Sequence, residues 1–456
     1  MRASSEIPGP PAANSIPSAY RLMLEVKKDL LGLVLDAFRE YGDIFQLRVL
    51  GRRQVLINAP DLIRQVLVTN AKCFVKGKDY TSRRKGLAKF GGMGLLSSNG
   101  ELWRRQRKLV APALHAKRVS SYAEAMVGAG EEACEGWSDG DVVAIDDAMM
   151  HAALRIVART MFTREVGTEA EVVGEATHAL HGMLEANNSA WTLLPDWFPT
   201  AQRMREDRAV KRIDEVVYRL IRERRPTVDG PIEDTGDLAS MLLGAEDDDG
   251  ARMSDEQARD EVVTMFIAGH ETAANTLGWA FVELSREPAV RAKVEEEVDR
   301  VLGGRRPTAD DYLALDYTRA FIKETLRRWP PAFTFMRTCV EDTEIGGYAI
   351  EKGMDVSMVP YATHRDPRFF EDPETFDPER FLGERGEAID RYAWIPFGGG
   401  PRVCVGNAFA LMETTLVLAT IASRWTLDLE EGQTVVPVPG VTLRPSGPLR
   451  MRVGAR

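Results

Sequence analysis

The segment from Ser254 to Arg286 constrains the fold of this chain more than any other stretch. Ser254 and Gln257 have the spacing of a capping box, which predicts that a helix begins there. The residues that follow are apolar nearly all round the helix, and such a helix is buried inside a large protein. Pro288 predicts its end, because proline disfavours helix in the residue before it. At about 1.5 Å per residue, this helix would cross the whole molecule.

The middle of this helix contains residues that rarely occur in a buried helix, Ala268-Gly269-His270-Glu271-Thr272. Glycine lowers helix propensity, and a buried acid or alcohol costs free energy unless it is hydrogen-bonded. A local rule broken inside a core indicates a functional site. For Thr272 the alternative is a hydrogen bond from its hydroxyl to the carbonyl four residues earlier.

One of the four cysteines lies in an unusual setting. Cys404 belongs to a glycine-rich loop, Phe397–Gly406, just before a predicted helix over residues 408–421. Glycines permit a tight loop that approaches a flat ligand closely, and a helix N-terminus stabilises a thiolate. A thiolate is a ligand that holds haem iron. The alternative, an inert buried thiol, is our interpretation of Cys73, Cys134 and Cys339, because no CxxC pair indicates a zinc site or disulfide scaffold.

Composition excludes several classes of protein. The chain has 456 residues, and its 59 basic and 69 acidic side chains give a net charge of −10. This sign argues against nucleic-acid binding and against a basic membrane surface. No window reaches the run of about 20 apolar residues that a spanning helix needs, and no signal-peptide pattern is present. We therefore expect a cytoplasmic protein without stable membrane insertion.

Periodicity predicts a mainly α protein with small β-sheets, an α+β fold. Helical patterns dominate from Trp103 to Trp329, and short alternating segments occur at Ile44–Leu50, Gln54–Asn58 and Thr343–Val359. We expect a β-rich part over about 40–75 and 335–365 and a helical part over about 100–330 and 404–425. Length alone would suggest about three domains.

Four motifs, in this order, make the chain resemble the cytochromes P450, a family of haem-thiolate monooxygenases. They are the oxygen-activation motif Ala268–Thr272, the Glu-x-x-Arg motif Glu324–Arg327, the segment Pro378–Phe381 and the haem loop Phe397–Gly406. The resemblance implies one haem domain over residues 1–456, with the triangular fold of that family. It places the haem between the central helix and the cysteine-loop helix, with Cys404 as the axial metal ligand. It also implies a buried structural network of Glu324, Arg327 and Arg380.

The subgroup is narrowed by the residues around the cysteine. Gly-Gly-Pro-Arg-x-Cys followed by Asn407, Phe409 and Glu413 resembles membrane-bound eukaryotic and fatty-acid-hydroxylating members. Since no membrane anchor is found, we interpret the chain as a soluble bacterial-type member of that branch.

The cofactor implied by the resemblance is haem b. Trp103, Arg107, Arg337 and Arg402 would bind its propionates, for which the arginine fork is suited. Arg107 is expected to point toward the haem and Arg104, Arg105 and Lys108 outward, where they could steer an acidic electron donor. The remaining residues expected around the haem are Phe397, Gly406 and Ala268.

The activity implied by the resemblance is insertion of one oxygen atom of O₂ into a C–H or C=C bond. Thr272 would hydrogen-bond the oxygen and Glu271 would relay protons, so both are the expected catalytic residues. Two electrons would come from NAD(P)H through separate proteins, a ferredoxin or flavodoxin with its reductase, and the protein would be a monomer. The alternatives are a haem-thiolate sensor or recruitment protein without turnover, and a peroxygenase or isomerase of the same fold.

The substrate implied is an apolar small molecule such as a terpenoid, fatty acid or polyketide, in secondary metabolism. Ordinary core packing is the alternative for the residues expected to line its site, and lid elements are expected within His151–Trp197. The expected lining residues are Leu87, Met93, Leu95, Met265, Phe266, Phe333, Phe335 and Leu443.

Overall fold

The computed structural model describes residues 2–162, 200–224 and 234–456, together with residues 172, 174, 176, 179, 180, 182, 183 and 232. The chain divides into two compact units, each built from two chain segments. The first unit comprises Met1–Gly77 and Glu324–Cys404, and the second comprises Lys78–Lys323 and Val405–Arg456. The predicted β-rich stretches fall in the first unit, and most of the predicted helical part falls in the second.

A five-stranded sheet forms the centre of the first unit. Its strands, in spatial order, are Ile44–Val49, Arg52–Ile57, Asp355–Met358, Phe335–Cys339 and Phe74–Val75. The second and third of these strands pair in parallel, and the other neighbours are antiparallel. Val55, Ile57, Val356 and Met358 are fully buried in its core. The alternating segments therefore form strands as predicted, and Thr343–Ile345 with Tyr348–Ile350 adds a separate hairpin.

Helices and turns surround this sheet within the first unit. The longest, Ile16–Tyr41, is capped by Ser15. The shorter helices are Pro60–Arg64, Gln65–Thr69, Pro360–Thr363 and Gly383–Glu387, and the 3₁₀ turns are Ser4–Glu6, Ala71–Cys73, Pro378–Phe381 and Gly400–Arg402. Helix Asp316–Arg328 begins in the second unit and ends in the first.

The second unit is mainly helical. Its helices are Lys78–Thr81, Ala88–Gly91, Gly100–Val110, Ala116–Val119, Ala123–Ala133, Ile145–Phe162, Ala201–Arg224, Leu238–Gly244, Asp255–Arg286, Pro288–Leu302, Asp311–Ala314 and Asn407–Ala422, with 3₁₀ turns at Ala111–Leu114 and Ser120–Tyr122. Its strands are Val142–Ala144, Arg450–Ala455 and Trp425–Leu429 in one sheet and Pro437–Pro439 with Leu443–Pro445 in another.

The central helix, Asp255–Arg286, has the bounds that the sequence predicts. The Ser254 hydroxyl accepts the Gln257 N–H, and the Gln257 side chain accepts the Ser254 N–H, each at 3.2 Å. Pro288 opens the next helix. Nearly every residue from Ala258 to Leu284 is buried, so the prediction of a core helix is confirmed. In the described part of the chain, no helix has the length and apolar character needed to span a membrane.

Candidate active site

Two glycines fix the path of the cysteine loop in the first unit. Gly398 and Gly400 have φ of 68° and 64°, in the left-handed region that favours glycine. A Cβ on Gly400 would lie 2.2 Å from the carbonyl oxygen of Leu67, so a larger residue would displace the main chain. The loop closes through the Cys404 N–H, which donates to the Phe397 carbonyl at 2.9 Å. The position of Cys404 is therefore set by main-chain geometry.

The four cysteines differ in exposure. Cys404 is exposed, Cys73 is partly buried, and Cys134 and Cys339 are buried. Burial raises the pKa of the Cys134 and Cys339 thiols, which makes them poor metal ligands. Cys404 is thus the thiol with both the access and the loop geometry that a metal ligand requires.

Positive charges are concentrated around Cys404. Burial and the charges of Arg337 and Arg402 hold the pKa of Lys76 well below its usual range, and Cys404 acts in the opposite direction. Burial and the nearby Arg337 lower the pKa of Arg402 to about 10. These cations attract carboxylates. A cysteine ligand beside three cations fits a haem, because the sulfur would bind the iron and the cations would bind the propionates.

Lys76 is a member of this group that sequence reasoning missed. It directly follows the two-residue strand Phe74–Val75, and nothing in the sequence around it indicates a ligand site. The fold brings Lys76 near Cys404, and such long-range proximity leaves no local pattern.

The predicted ion network lies fully buried in the first unit. Arg327 donates from Nε and Nη2 to both oxygens of Glu324, at 2.7 and 2.8 Å. Arg380 lies 3.5 Å from Glu324, and the Asp377 N–H donates to the same carboxylate at 2.9 Å. The third nitrogen of Arg327 donates to the His364 carbonyl at 2.7 Å. Arg327 and Glu324 thus compensate each other's charge, as a buried ion pair requires.

His364 joins this network through its ring and its main-chain carbonyl. The ring is completely buried, with Nδ1 3.0 Å from the Arg327 carbonyl and Nε2 accepting the Ile395 N–H at 3.0 Å. Because Nε2 accepts, Nδ1 must carry the proton, so the ring is neutral. Burial and the charge of Arg327 lower the pKa of His364 to about 3, which is consistent with that state. His364 therefore ties the Arg327 helix to the start of the cysteine loop.

In the second unit, an accessible stripe runs along the otherwise buried central helix. Met265, Ala268, Gly269 and Thr272 retain exposure and share one face, since they are three, four and seven residues apart. Ile267, on another side, is also partly exposed. The stripe coincides with the motif that breaks the local rules of a buried helix.

The two predicted catalytic side chains make different bonds. The Thr272 hydroxyl donates to the Ala268 carbonyl at 2.8 Å, which is the bond that the alternative interpretation requires. Thr272 can therefore donate to a ligand only by giving up this bond. Glu271 is buried and accepts the Thr442 hydroxyl at 2.5 Å, while Thr442 accepts the Asn275 amide at 2.9 Å.

Thr442 and Asn275 were also missed by sequence reasoning. Together they orient the Glu271 carboxylate, because the Thr442 hydroxyl has a single proton and must donate it to the acid. Asn275 lies one turn after Glu271, a spacing that could have indicated it. Thr442 precedes a distant strand, and no pattern connects it with the central helix. His270 instead bonds the Phe266 carbonyl at 2.8 Å on a buried side.

On helix Gly100–Val110, the expectation that Arg104, Arg105 and Lys108 point outward holds for Arg104 and Lys108 but not for Arg105. Arg105 does not point freely outward but pairs with Asp247 at 2.5 Å and donates to the Gln257 side chain at 3.0 Å. The exposed side chains Arg104 and Lys108 pair with Glu101 and Asp248. Asp247 and Asp248 lie against this helix, and the charge pattern within the helix could not indicate this. Trp103 and Arg107 are both half-buried on the same helix.

The residues expected to line the substrate site divide into two groups. Phe266 and Leu443 are core residues: Phe266 stacks on Phe162 with ring centroids 5.6 Å apart, and Leu443 is fully buried. Phe333 is also buried, and burial is compatible both with core packing and with lining a closed site. The partly exposed members are Leu87, Met93, Leu95, Met265 and Phe335.

The expected lid elements within His151–Trp197 lie largely outside the described residues, as do His178 and His181. Within the described ranges, no three His, Cys, Asp or Glu side chains are grouped so that they could hold a metal ion together.

Comparison with known proteins identifies the family. The cytochrome P450 family model matches residues 10–451. Cyclooctatin synthase of Streptomyces melanosporofaciens is 38% identical over 445 residues, covering 96% of this chain and 94% of that protein. Cyclooctat-9-en-7-ol 5-monooxygenase of the same organism is 38% identical over 414 residues (90% and 86%), and pentalenene oxygenase of Streptomyces avermitilis is 34% identical over 426 residues (92% of each). The chain therefore belongs to the cytochrome P450 family and is a haem-dependent monooxygenase.

Proposed function

We propose that this protein oxygenates an apolar terpenoid, using O₂ and two electrons delivered by separate proteins. The observation that carries this proposal is the accessible stripe on the central helix, where apolar Met265 and Ala268 adjoin the Thr272 hydroxyl. An apolar wall with a few polar groups is typical of sites for apolar small molecules. The names of the relatives point the same way, since they state oxygenation of pentalenene and of cyclooctat-9-en-7-ol.

Residues of the first unit would hold the haem. Cys404 is the proposed iron ligand, and Arg337, Arg402 and Lys76 are the proposed propionate partners. Trp103 and Arg107 join this proposal through the family resemblance. When bound, the haem supplies the reductive activation of O₂.

Glu271 and Thr272 are the proposed carriers of protons. Glu271 is a buried carboxylate held by Thr442, so it can exchange a proton with its surroundings while its position stays fixed. Thr272 places a hydroxyl on the accessible stripe, four residues from the carbonyl that it bonds. We propose that Thr442 and Asn275 act through Glu271 by holding its carboxylate in place.

Electrons are proposed to come from NAD(P)H through a ferredoxin or flavodoxin and its reductase. The acid–alcohol pair supports this assignment over a peroxygenase or isomerase, because proton delivery is needed when O₂ is the oxidant. It also supports turnover over a role in recruitment or sensing.

The test uses the purified haem protein with surrogate ferredoxin and reductase. Candidate substrates, beginning with pentalenene and cyclooctat-9-en-7-ol, are first screened for the spin-state change that marks binding beside the iron. We expect NAD(P)H consumption to yield oxygenated product, and Thr272→Ala to keep the consumption but lose most of the product. Thr272→Ser is the matched control, because it keeps the hydroxyl. Product formed from peroxide alone, at equal rates in wild type and Thr272→Ala, would contradict the proposal.

A further inference from the structure

A loop of the second unit is bound to the central helix through its main chain. The Met93 N–H donates to Asp260 at 2.7 Å, and the Leu95 N–H donates to Glu261 at 3.0 Å. One turn further along the helix, the Thr264 hydroxyl lies 3.4 Å from the Gly91 carbonyl. Three alternate positions of the loop, Gly91, Met93 and Leu95, therefore contact two adjacent turns of the helix.

The loop approaches the central helix so closely that glycine is required at positions 92 and 94. Gly92 has φ of 53°, and a Cβ on Gly94 would lie 2.2 Å from the Thr264 hydroxyl and 2.6 Å from the Asp260 carbonyl oxygen. From the other side, the Gln106 amide donates to the Met93 carbonyl at 2.7 Å. The loop is thus fixed from two directions, and its side chains have little freedom to shift as a group.

The two acids that hold this loop, Asp260 and Glu261, differ in their charged neighbours. Asp260 pairs with Arg259 at 2.9 Å. Glu261 is fully buried, and its Oε1 accepts no hydrogen bond from any described residue. Burial raises the pKa of Glu261 to about 8, and the Asp260 charge adds to this rise, while the Leu95 N–H opposes it.

A buried acid of this kind costs stability, and an apolar residue would fill the same space more favourably. Among the described residues, its side chain accepts one hydrogen bond, from the loop that carries Met93 and Leu95, both partly exposed. A costly polar group in a core indicates a functional constraint. The hydrogen bond from Leu95 indicates that this constraint is the position of the loop.

We propose that Glu261 is a positioning residue that fixes Met93 and Leu95 through the Leu95 main chain and thereby sets which apolar substrates the enzyme accepts. The proposal rests on the proposed function, because it takes Met93 and Leu95 to line the substrate site. Glu261 itself touches neither substrate nor haem in this account.

The test compares Glu261→Leu with Glu261→Gln in the haem-containing protein. Leucine removes the acceptor, whereas glutamine keeps an oxygen that can accept the Leu95 N–H. Loss of such a bond should raise hydrogen exchange of residues 91–96 about tenfold in Glu261→Leu. Across a size series of apolar ligands, the ratio of dissociation constants for the largest and smallest should change about fivefold or more. Glu261→Gln should restore both readouts.

Glu256→Leu is the matched control, since Glu256 is an exposed acid on the first turn of the same helix. It should change neither exchange nor ligand ratios. If Glu261→Leu yields no haem protein, Glu261→Met replaces it, because methionine adapts to the space and also lacks the acceptor.

Unchanged exchange, or a uniform loss of affinity for all ligands with an unchanged ratio, would overturn the proposal. Failure of the proposed function is distinguishable. In that case the wild type would turn over no ligand, while hydrogen exchange would still report whether Glu261 holds the loop.

Discussion

Two groups of cations in the first unit differ in the charges that surround them. Around Glu324, the cations Arg327 and Arg380 share a buried carboxylate, and the remaining nitrogens of Arg327 bond to main-chain carbonyls. Around Cys404, burial and the charges of Arg337 and Arg402 lower the pKa of Lys76, and burial and the charge of Arg337 lower the pKa of Arg402. The first group shares a carboxylate within the fold, whereas the second concentrates positive charge beside a thiol.

This contrast separates a structural from a ligand-binding use of the same residue type. Removing a cation from the first group strands a buried carboxylate. Removing a cation from the second relieves repulsion between like charges, but it takes away a binding partner for an anionic cofactor. The two groups should therefore respond to mutation with opposite signs of stability change.

The largest expected effect is that of Arg327→Ala. The stranded charge of Glu324 should cost about 3–5 kcal/mol, a large part of the stability of an ordinary domain. We expect insoluble or haem-free protein, measured as soluble yield and the ratio of haem to protein. Arg39→Ala is the control, because Arg39 and Asp36 form an exposed pair whose loss should cost about 0–1 kcal/mol. Normal haem content in Arg327→Ala would refute the structural role.

The second prediction concerns Arg402→Leu. Haem retention should weaken about tenfold to a hundredfold, the value of one charge-assisted hydrogen bond. In contrast to Arg327→Ala, the haem-free protein should be no less stable to denaturant, because a repulsive and desolvated charge is gone. Transfer of haem to apomyoglobin and urea unfolding measure the two effects. A destabilised apoprotein with unchanged haem retention would erase the distinction between the two groups.

The third prediction uses the titration of His364. Its pKa of about 3 in the folded protein lies below its ordinary value of 6.5, so the unfolded chain binds the proton more readily between these values. Stability should therefore fall as pH falls from 6.5, by at most about 1.4 kcal/mol per pH unit. His364→Asn should flatten this dependence of the unfolding free energy, and His151→Asn, an exposed control, should not. An equally steep slope in His364→Asn would show that the ring is not neutral.

The smallest effects are expected for the exposed ion pairs on helix Gly100–Val110. Arg104→Ala and Lys108→Ala should each change the free energy of unfolding by about 0–1 kcal/mol. Since both charges are paired with acids, electron transfer from an acidic ferredoxin should change less than about twofold. A large loss of electron transfer in either variant would contradict this expectation and support a docking role for Arg104 and Lys108.

Sequence patterns predicted the features that are formed by residues close together in the chain. The central helix was located because its capping box and apolar wheel are local, and Glu324 and Arg327 because they are one turn apart. Lys76, His364 and Thr442 were missed, since the fold brings them to their partners from distant segments. The placement of the buried residues Phe266 and Leu443 at the substrate site stays a prediction, because apolar residues that line a cavity and those that fill a core have the same sequence pattern. Arg105 was placed outward because its partner Asp247 lies on another element.

The most direct test of the account is the carbon monoxide spectrum of the reduced haem protein. Wild type should show the red-shifted band of a thiolate ligand, and Cys404→Ser should lose it. Cys134→Ser and Cys339→Ser should keep the band, because these two thiols are buried away from any ligand role. A wild-type protein without the band, or a Cys404→Ser variant that keeps it, would contradict the assignment of Cys404 as the haem ligand.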